Sequence, residues 1–196
     1  MERKTAEVTT EQIKELRTRT GAGIVDCRNA LAQAGGDLER AAEILKAKGL
    51  ATAQKKAGRV ASQGLVEAYI HTGGKVGAMV EVNCETDFVA RTGEFQKLAR
   101  ELAMQVTAAS PRYVTREEIP AEALEEQRRL FAAELGNKPA AAMDGKLAKW
   151  YQEVVLLEQP FIRDESRTVR DLITEAVARI GENIQVRRFA RFRIGE

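Results

Sequence analysis

Strand-like patterns in two distant parts of the chain are the feature that most constrains its fold. Apolar residues alternate at residues 65–71 and 75–82, and again at residues 184–194. Between these parts, helical spacing of apolar residues predicts helices at residues 92–107, 120–135, 146–157 and 169–180, the last capped by Thr168. Two strand groups separated by helices indicate an α+β core, in which a small antiparallel sheet carries helices on one side.

The loop between the first two strands decides which of their residues face the core. A change of register by one residue moves every side chain to the other face of the sheet. A two-residue loop would pair Ile70 with Gly77 and mix the two faces. We therefore predict a three-residue loop, Thr72-Gly73-Gly74, which collects apolar residues on one face through the pairs Ile70–Val76, Ala68–Ala78 and Val66–Val80.

The last strand has an interrupted pattern. Arg188 breaks the apolar alternation, and Phe189 lies on the opposite face. The pattern is compatible with a β-bulge or with a strand that is apolar on both faces. The residues that share one parity are Ile184, Val186, Ala190, Phe192 and Ile194.

Start and stop signals predict three short helices at residues 9–49. Thr9 and Gln12 have the spacing of a capping box, and Asp37 is a typical N-cap for the third helix. Gly35-Gly36 is typical of the end of the second helix, and Gly49 is expected to end the third. The inward-facing residues are predicted to be Ile13 and Leu16, then Ile24, Cys27, Leu31 and Ala34, and finally Leu38, Ala41, Ala42 and Leu45.

We therefore expect three parts in the chain. Residues 1–50 form a three-helix module, and its small core favours a recognition role over a catalytic one. Residues 51–63 form a helical linker in which a run of basic residues is solvated. Residues 64–196 form the α+β core domain.

The charge balance argues against a dedicated nucleic-acid binder. The net charge is only +2 although 31% of the residues are charged, whereas such proteins need a large excess of lysine and arginine. An RNA-binding function stays open as an alternative because Phe189 and Phe192 are interleaved with arginines, although a strand with one polar face also explains them. These arginines are Arg187, Arg188, Arg191 and Arg193.

Location and membrane association can also be judged from composition. A membrane helix needs about 20 consecutive apolar residues, and no run in the sequence approaches this length. Residues 1–5 lack the apolar stretch of a signal peptide. We expect a cytoplasmic protein with no membrane or nucleic-acid partner.

Residues suited to covalent catalysis are sparse. His71 is the single histidine, and Cys27 and Cys84 lie in apolar patterns without a nearby thiol or histidine at ligand spacing. We expect buried, reduced thiols, no metal, no cofactor and no enzymatic reaction. A thiol enzyme built on Cys84 and His71 is an alternative, and it would require an exposed thiolate of low pKa.

An aromatic residue at the junction between the second strand and the next helix fits neither pattern. Phe88 follows Thr86 and Asp87 and precedes Val89, and it lies outside the apolar stripe of the helix at residues 92–107. Aromatic residues in such positions usually belong to the core. A rigid junction could instead project Phe88 into solvent as part of a binding loop, and the residues alone leave both possibilities open.

Two segments resemble the bacterial elongation factor Ts family. They are residues 16–31, Leu-Arg-Thr-Arg-Thr-Gly-Ala-Gly-Ile-Val-Asp-Cys-Arg-Asn-Ala-Leu, and residues 81–91, Glu-Val-Asn-Cys-Glu-Thr-Asp-Phe-Val-Ala-Arg. Residues 156–161 and 180–189 are also similar to family segments, so the resemblance spans nearly the whole chain. Arg28 departs from the lysine usual in the family, and a guanidinium binds differently from an ammonium.

The resemblance implies a guanine-nucleotide exchange factor for elongation factor Tu and a ubiquitin-associated-like fold for the N-terminal module. By position, Thr86, Asp87, Phe88 and Val89 would insert beside the partner's nucleotide, disturb its magnesium ion and promote GDP release, so that GTP can bind during translation elongation. Ile24, Val25 and Arg28 would contact the partner's GTPase domain. The length suits a single core subdomain, as in short members of the family, which implies a homodimer formed through the core domain.

Overall fold

The computed structural model describes residues 8–136 and 139–196. Residues 1–5, on which the expectation about a signal peptide depends, lie outside this part. Among the described residues, no helix is both long and apolar enough to cross a membrane. The α-helices and β-strands are α1 (Thr10–Thr20), α2 (Ile24–Ala34), α3 (Leu38–Lys56), β1 (Gln63–Ile70), β2 (Val76–Cys84), α4 (Asp87–Ala90), α5 (Gly93–Ala109), α6 (Ala121–Leu135), α7 (Ala140–Val154), β3 (Pro160–Phe161), β4 (Asp164–Thr168), α8 (Val169–Ile180) and β5 (Gln185–Arg193), and short 3-10 helices lie at Arg116–Glu118 and Leu156–Glu158.

A three-stranded antiparallel sheet in the order β1-β2-β5 forms the centre of the core. Its inner face packs against α5 and α8, and Val80, Phe95 and Val177 lie in the shared apolar cluster. Strands from the two distant parts of the sequence are therefore neighbours, and the predicted α+β core is confirmed. The two-stranded hairpin β3–β4 was not predicted, and α7 begins before the predicted start at residue 146.

The predicted register of the first hairpin is wrong. Ile70 pairs with Gly77, and Leu65 and Tyr69 pair with the buried Val82 and Ala78. Glu67 therefore also faces the helix side, where Arg100 of α5 binds its carboxylate at 3.0 Å and lies 4.9 Å from the centre of the Tyr69 ring. Because Arg100 contacts both Glu67 and the Tyr69 ring, these residues can lie on the side of α5, and the apolar residues that alternate with them lie on the other face of β1. Val66, Ala68 and Ile70 are accordingly exposed.

The last strand contains a bulge, one of the two possibilities that its pattern left open. Glu81 pairs with Arg188 but Val82 pairs with Val186, so Arg187 is an additional residue in β5. The bulge reverses the parity of the strand. Val186 and Phe189 pack against the core, whereas two members of the predicted single face are exposed, Phe192 by 71% and Ile194 by 75%.

The N-terminal helices enclose an apolar cluster of their own. Thr9 forms both hydrogen bonds of its capping box with Gln12, Asp37 caps α3, and Gly35 ends α2 in a left-handed conformation. The cluster contains Leu16, Cys27, Ala30, Leu31, Ala34 and Ala41. Ile24 was predicted to face inward, but it is 56% exposed, since it begins α2 at the edge of the cluster and Ala30 lies on the buried side instead.

The predicted end of the third helix at Gly49 is also wrong. The helix α3 continues to Lys56 and packs along α8. A Cβ atom at Gly49 would lie 3.4 Å from the Cβ of Ala178. Glycine at this position therefore permits the close approach of two helices rather than ending one of them.

Candidate functional site

The segment between β2 and α5, residues 85–91, presents an aromatic side chain to solvent; we call it the elbow. Thr86 is the N-cap of α4, and its hydroxyl accepts a hydrogen bond from the amide of Val89 at 3.3 Å. Phe88 follows in the first turn of α4 and is 84% exposed. The core alternative for this aromatic residue is therefore excluded.

The opposite side of the elbow is fixed to the core. Ala90 is buried, and Val89 packs partly against the same cluster. The thiol of Cys84 donates a hydrogen bond to the carbonyl of Thr86 at 3.1 Å. Of the four residues predicted here, Asp87 and Phe88 thus face outward, Thr86 shapes the turn, and Val89 connects it to the core.

Asp87 is the exposed charge beside Phe88. Its carboxylate accepts a hydrogen bond from the guanidinium of Arg91 at 2.6 Å, and both side chains are largely accessible. Such exposed ion pairs contribute little to stability. Asp87 can therefore exchange Arg91 for another partner without much loss of stability.

The corner after α8, Gly181 to Asn183, meets the elbow from the distant end of the chain. The carboxylate of Glu182 accepts hydrogen bonds from the amides of Glu85 and Thr86, both at 3.0 Å. In return, the Glu85 carboxylate accepts the amide of Asn183 at 2.6 Å, which lowers the pKa of Glu85. The contact of Glu182 with Thr86 cannot be recognised from the sequence, because the two residues are 96 positions apart and no spacing pattern spans that distance.

The three N-terminal residues suggested by the resemblance are together at the start of α2. Ile24 is 56% exposed and Val25 is 61% exposed, and Arg28 lies one turn further along and is exposed as well. Neighbouring apolar side chains with this exposure form a small accessible patch. We call Ile24, Val25 and Arg28 the α2 patch.

Arg179 lies between the turn that precedes the α2 patch and the helix that follows the elbow. A Cβ atom at Gly21, in the turn before α2, would lie 2.8 Å from a guanidinium nitrogen of Arg179. The same guanidinium forms an ion pair with Glu94, in the first turn of the helix that follows the elbow. Burial lowers the pKa of Arg179. One arginine side chain therefore lies close to both the turn before α2 and the start of α5.

The geometry disfavours a thiol enzyme. Cys84 is fully buried, and burial, followed by the negative charge of Glu182, raises the pKa of its thiol. His71 lies beyond the other end of β2, at a separation of about 25 Å along the strand. Cys27 is also buried, and burial raises its pKa.

The C-terminal arginines are largely engaged within the protein. Arg188 binds Glu81 at 2.7 Å across the sheet, while Arg191 and Arg193 bind Glu196 at 2.7 and 3.6 Å. Arg191 also donates to the carbonyl of Thr107. These contacts explain three of the four arginines without a nucleic acid.

The outer face of the sheet is a second accessible apolar surface. It surrounds a shallow groove of about 390 Å³ beside the ends of β1, β2 and β5. We call it the sheet face. Its exposed apolar residues are Val66 (63%), Ile70 (68%), Met79 (49%), Phe192 (71%) and Ile194 (75%).

Comparison with known proteins gives a consistent family assignment. The family model described as Elongation factor TS matches residues 51–196. A protein named Elongation factor Ts from Carboxydothermus hydrogenoformans is 55% identical over 195 residues, covering 96% of this chain and 90% of that protein. Another of the same name, from Caldanaerobacter subterraneus subsp. tengcongensis, is 54% identical over 195 residues, covering 96% and 98% respectively. The chain therefore belongs to the elongation factor Ts family.

Proposed function

We propose that this protein is a guanine-nucleotide exchange factor that binds elongation factor Tu in its GDP form and accelerates the release of GDP. The observation that carries this proposal is the exposure of Phe88 on an elbow whose other side is fixed to the core. An aromatic side chain in this setting loses little conformational entropy on binding. Membership of the elongation factor Ts family supports elongation factor Tu as the partner.

In this proposal the elbow acts on the partner's magnesium ion. Asp87 and Phe88, supported by Thr86 and Val89, enter beside the nucleotide and disturb the ligands of that ion. Magnesium in nucleotide sites is held by few protein ligands, by water and by the phosphates. Loss of these magnesium contacts weakens the binding of GDP to the partner, after which GTP binds and elongation proceeds.

The energy required shows that the elbow needs a second contact. A ligand shifts an equilibrium only through its different affinities for the two states, and GDP must weaken the factor as much as the factor weakens GDP. A thousandfold weakening corresponds to about 4 kcal/mol. Burial of one phenylalanine supplies roughly 1.5–3 kcal/mol, so Phe88 does not suffice alone.

The α2 patch is the proposed second contact, and it binds the partner's GTPase domain. Arg179 places the turn before α2 next to the start of α5, which supports a combined surface. We propose that residues 1–50 form a ubiquitin-associated-like module, joined through residues 51–63 to the core domain at residues 64–196. The separate apolar cluster of the first three helices supports this division.

The sheet face is the proposed homodimer interface. Five exposed apolar side chains share this face, and contiguous apolar surface of this kind usually marks an interaction site. A second copy of the chain offers the same apolar surface, as a symmetric dimer requires. The core domain would then serve for dimerisation, as the resemblance to short family members implies.

Exchange by this route involves no covalent step and therefore no catalytic residue. The proposed location is the cytoplasm, where translation elongation takes place. The mechanism rests on binding energy alone, which distinguishes it from the thiol-enzyme alternative.

The decisive experiment is the release of labelled GDP from elongation factor Tu with and without this protein. We expect release to accelerate with increasing wild-type protein, and Phe88→Ala to lose most of the acceleration. Leu130→Ala, which removes a side chain that is 59% exposed on α6, serves as the control and should behave like wild type. No acceleration by wild type would refute the function, and an active Phe88→Ala variant would refute the assignment of the elbow.

A further inference from the structure

The proposed function leaves open what holds the elbow at a defined angle. The elbow is a surface turn, and α4 is only a four-residue helix. Glu182 receives three hydrogen bonds from this turn, namely the amides of Glu85 and Thr86 at 3.0 Å and the hydroxyl of Thr86 at 2.7 Å. Hydrogen bonds to an ionised carboxylate are roughly twice as strong as those between neutral groups.

The third of these hydrogen bonds orients the cap of α4. A threonine hydroxyl has one proton, and Thr86 directs it to Glu182 at 2.7 Å. The oxygen lone pairs are then free to accept the amide of Val89 at 3.3 Å. Glu182 thereby fixes the hydroxyl that begins the helical turn carrying Phe88.

The same corner is attached to the end of α3. The side-chain amide of Asn183, a buried residue, donates to the carbonyls of Arg59 at 2.8 Å and Ala57 at 3.4 Å. Lys56, the last residue of α3, donates to the carbonyl of Gly181. Because α3 also belongs to the N-terminal cluster, the corner contacts both the elbow and the helix that carries the N-terminal module.

We infer that Glu182 is a positioning residue, which sets the orientation of the elbow relative to the N-terminal module so that Phe88 and the α2 patch engage one partner together. This inference rests on the proposed exchange function. Glu182 need not touch the partner. Its contribution is to keep Phe88 in the geometry that acts on the partner's nucleotide site within the complex, so that Glu182 affects the rate of GDP release more than the affinity.

The kinetic test compares Glu182→Ala and Glu182→Gln with wild type in stimulated GDP release. We expect Glu182→Ala to lower the maximal rate about tenfold, as the loss of a charged hydrogen-bond acceptor would produce. Glu182→Gln keeps one acceptor oxygen, so its maximal rate should lie between those of Glu182→Ala and wild type. The concentration that gives half the maximal rate should change less than about twofold, since the contacting side chains remain. A wild-type maximal rate in both variants would overturn the inference.

A double variant tests whether Glu182 acts through Phe88. If it does, Glu182→Ala should add no more than about a twofold loss to Phe88→Ala, because residues that act as a unit are not additive. A loss of rate in the double variant equal to the product of the two single losses would overturn the inference. Glu118→Gln is the matched control, since Glu118 also accepts a backbone amide, that of Val114 at 2.8 Å, but lies in a different loop. The Glu118→Gln variant should stimulate GDP release from elongation factor Tu as well as wild type does.

Hydrogen exchange of the isolated protein separates this inference from the proposed function. Glu182→Ala should speed exchange at the amides of Glu85 and Thr86, and Glu118→Gln should not. Unchanged protection at both amides would overturn the role of Glu182 even if wild type stimulates GDP release. Faster exchange together with a wild type that does not stimulate release would refute the proposed function instead. If Glu182→Ala fails to fold, the amide exchange and the maximal rate of Glu182→Gln are compared with those of wild type instead.

Discussion

Phe88 and Phe95 lie on the two sides of one helix start, at Thr92, and have opposite burial: Phe88 is 84% exposed and Phe95 is fully buried. Phe95 is the first large residue on the side of α5 that packs against β2. Phe88 points away because Val89 and Ala90 occupy the core side of α4. Within this short segment Phe95 therefore belongs to the core, whereas Phe88 is accessible for the proposed contact with elongation factor Tu.

Replacement of each phenylalanine by alanine should give opposite results. Phe95→Ala leaves a cavity in the core and should lower the free energy of unfolding by about 3–5 kcal/mol. Phe88→Ala should leave it within about 0.5 kcal/mol of wild type, as for other exposed sites. Urea denaturation measures both. A large loss of stability in Phe88→Ala would contradict the exposed position of this side chain.

Local features of the fold could be predicted from the sequence because they depend on residues a few positions apart. The caps at Thr9, Asp37 and Thr168 all form the expected hydrogen bonds. The register of β1 could not be predicted, since the partner of Glu67 is Arg100 on another element. Gly49 likewise resembles a helix end until the approach of Ala178 is known.

The candidate site was predictable to a similar extent. The position of Phe88 outside the apolar stripe of α5 indicated a junction, and its exposure follows from the packing of Ala90 and Val89. The contact between Glu182 and Thr86 joins residues 96 positions apart, and its formation depends on the antiparallel pairing of β2 with β5. Such a contact can be recognised only once the three-dimensional fold is known.

The α2 patch should contribute affinity rather than stability. Ile24→Ala and Val25→Ala together remove exposed side chains, so the free energy of unfolding should change little. The concentration that gives half-maximal GDP release should rise about tenfold, because several methylene groups no longer become buried on binding. Titration of this double variant against elongation factor Tu measures the change. A half-saturating concentration equal to that of wild type would exclude the patch from the binding surface.

If the sheet face is the dimer interface, Phe192→Glu should prevent dimer formation. A charge in the middle of an apolar interface costs several kcal/mol unless it finds a partner. Light scattering at micromolar concentration should give a dimer for wild type and a monomer for Phe192→Glu. Leu130→Glu introduces the same charge at an exposed residue of α6 and should remain dimeric. A wild-type protein that is strictly monomeric would reject the homodimer.

Gly64 should not tolerate a side chain. It has a φ of 142°, and a Cβ atom would lie 2.1 Å from the carbonyl oxygen of Val82. Gly64→Ala should therefore lower the free energy of unfolding by at least about 1–3 kcal/mol. Gly58→Ala is the control, because nothing lies within 4 Å of its Cβ position. Equal stability of the two variants by urea denaturation would contradict the close approach of β1 and β2.

The contact between Glu85 and Asn183 predicts a stability that depends on pH. The amide of Asn183 donates to the Glu85 carboxylate at 2.6 Å and lowers the pKa of Glu85, and the positive charges of Arg59 and Lys56 act in the same direction against the effect of desolvation. Since the folded state favours the ionised form, this contribution is complete above the unfolded pKa of about 4.3. It is lost as the pH falls through the lower folded pKa.

The measurement is the free energy of unfolding of wild type and Glu85→Gln between pH 7 and pH 3. The wild type should be more stable by a constant amount down to about pH 5, and the difference should shrink below about pH 4.3 as Glu85 becomes protonated in wild type. Leu130→Ala changes no titratable group, so its difference from wild type should stay constant over the same range. A difference for Glu85→Gln that persists undiminished to pH 3 would show that the ionised carboxylate does not stabilise the corner that holds the elbow.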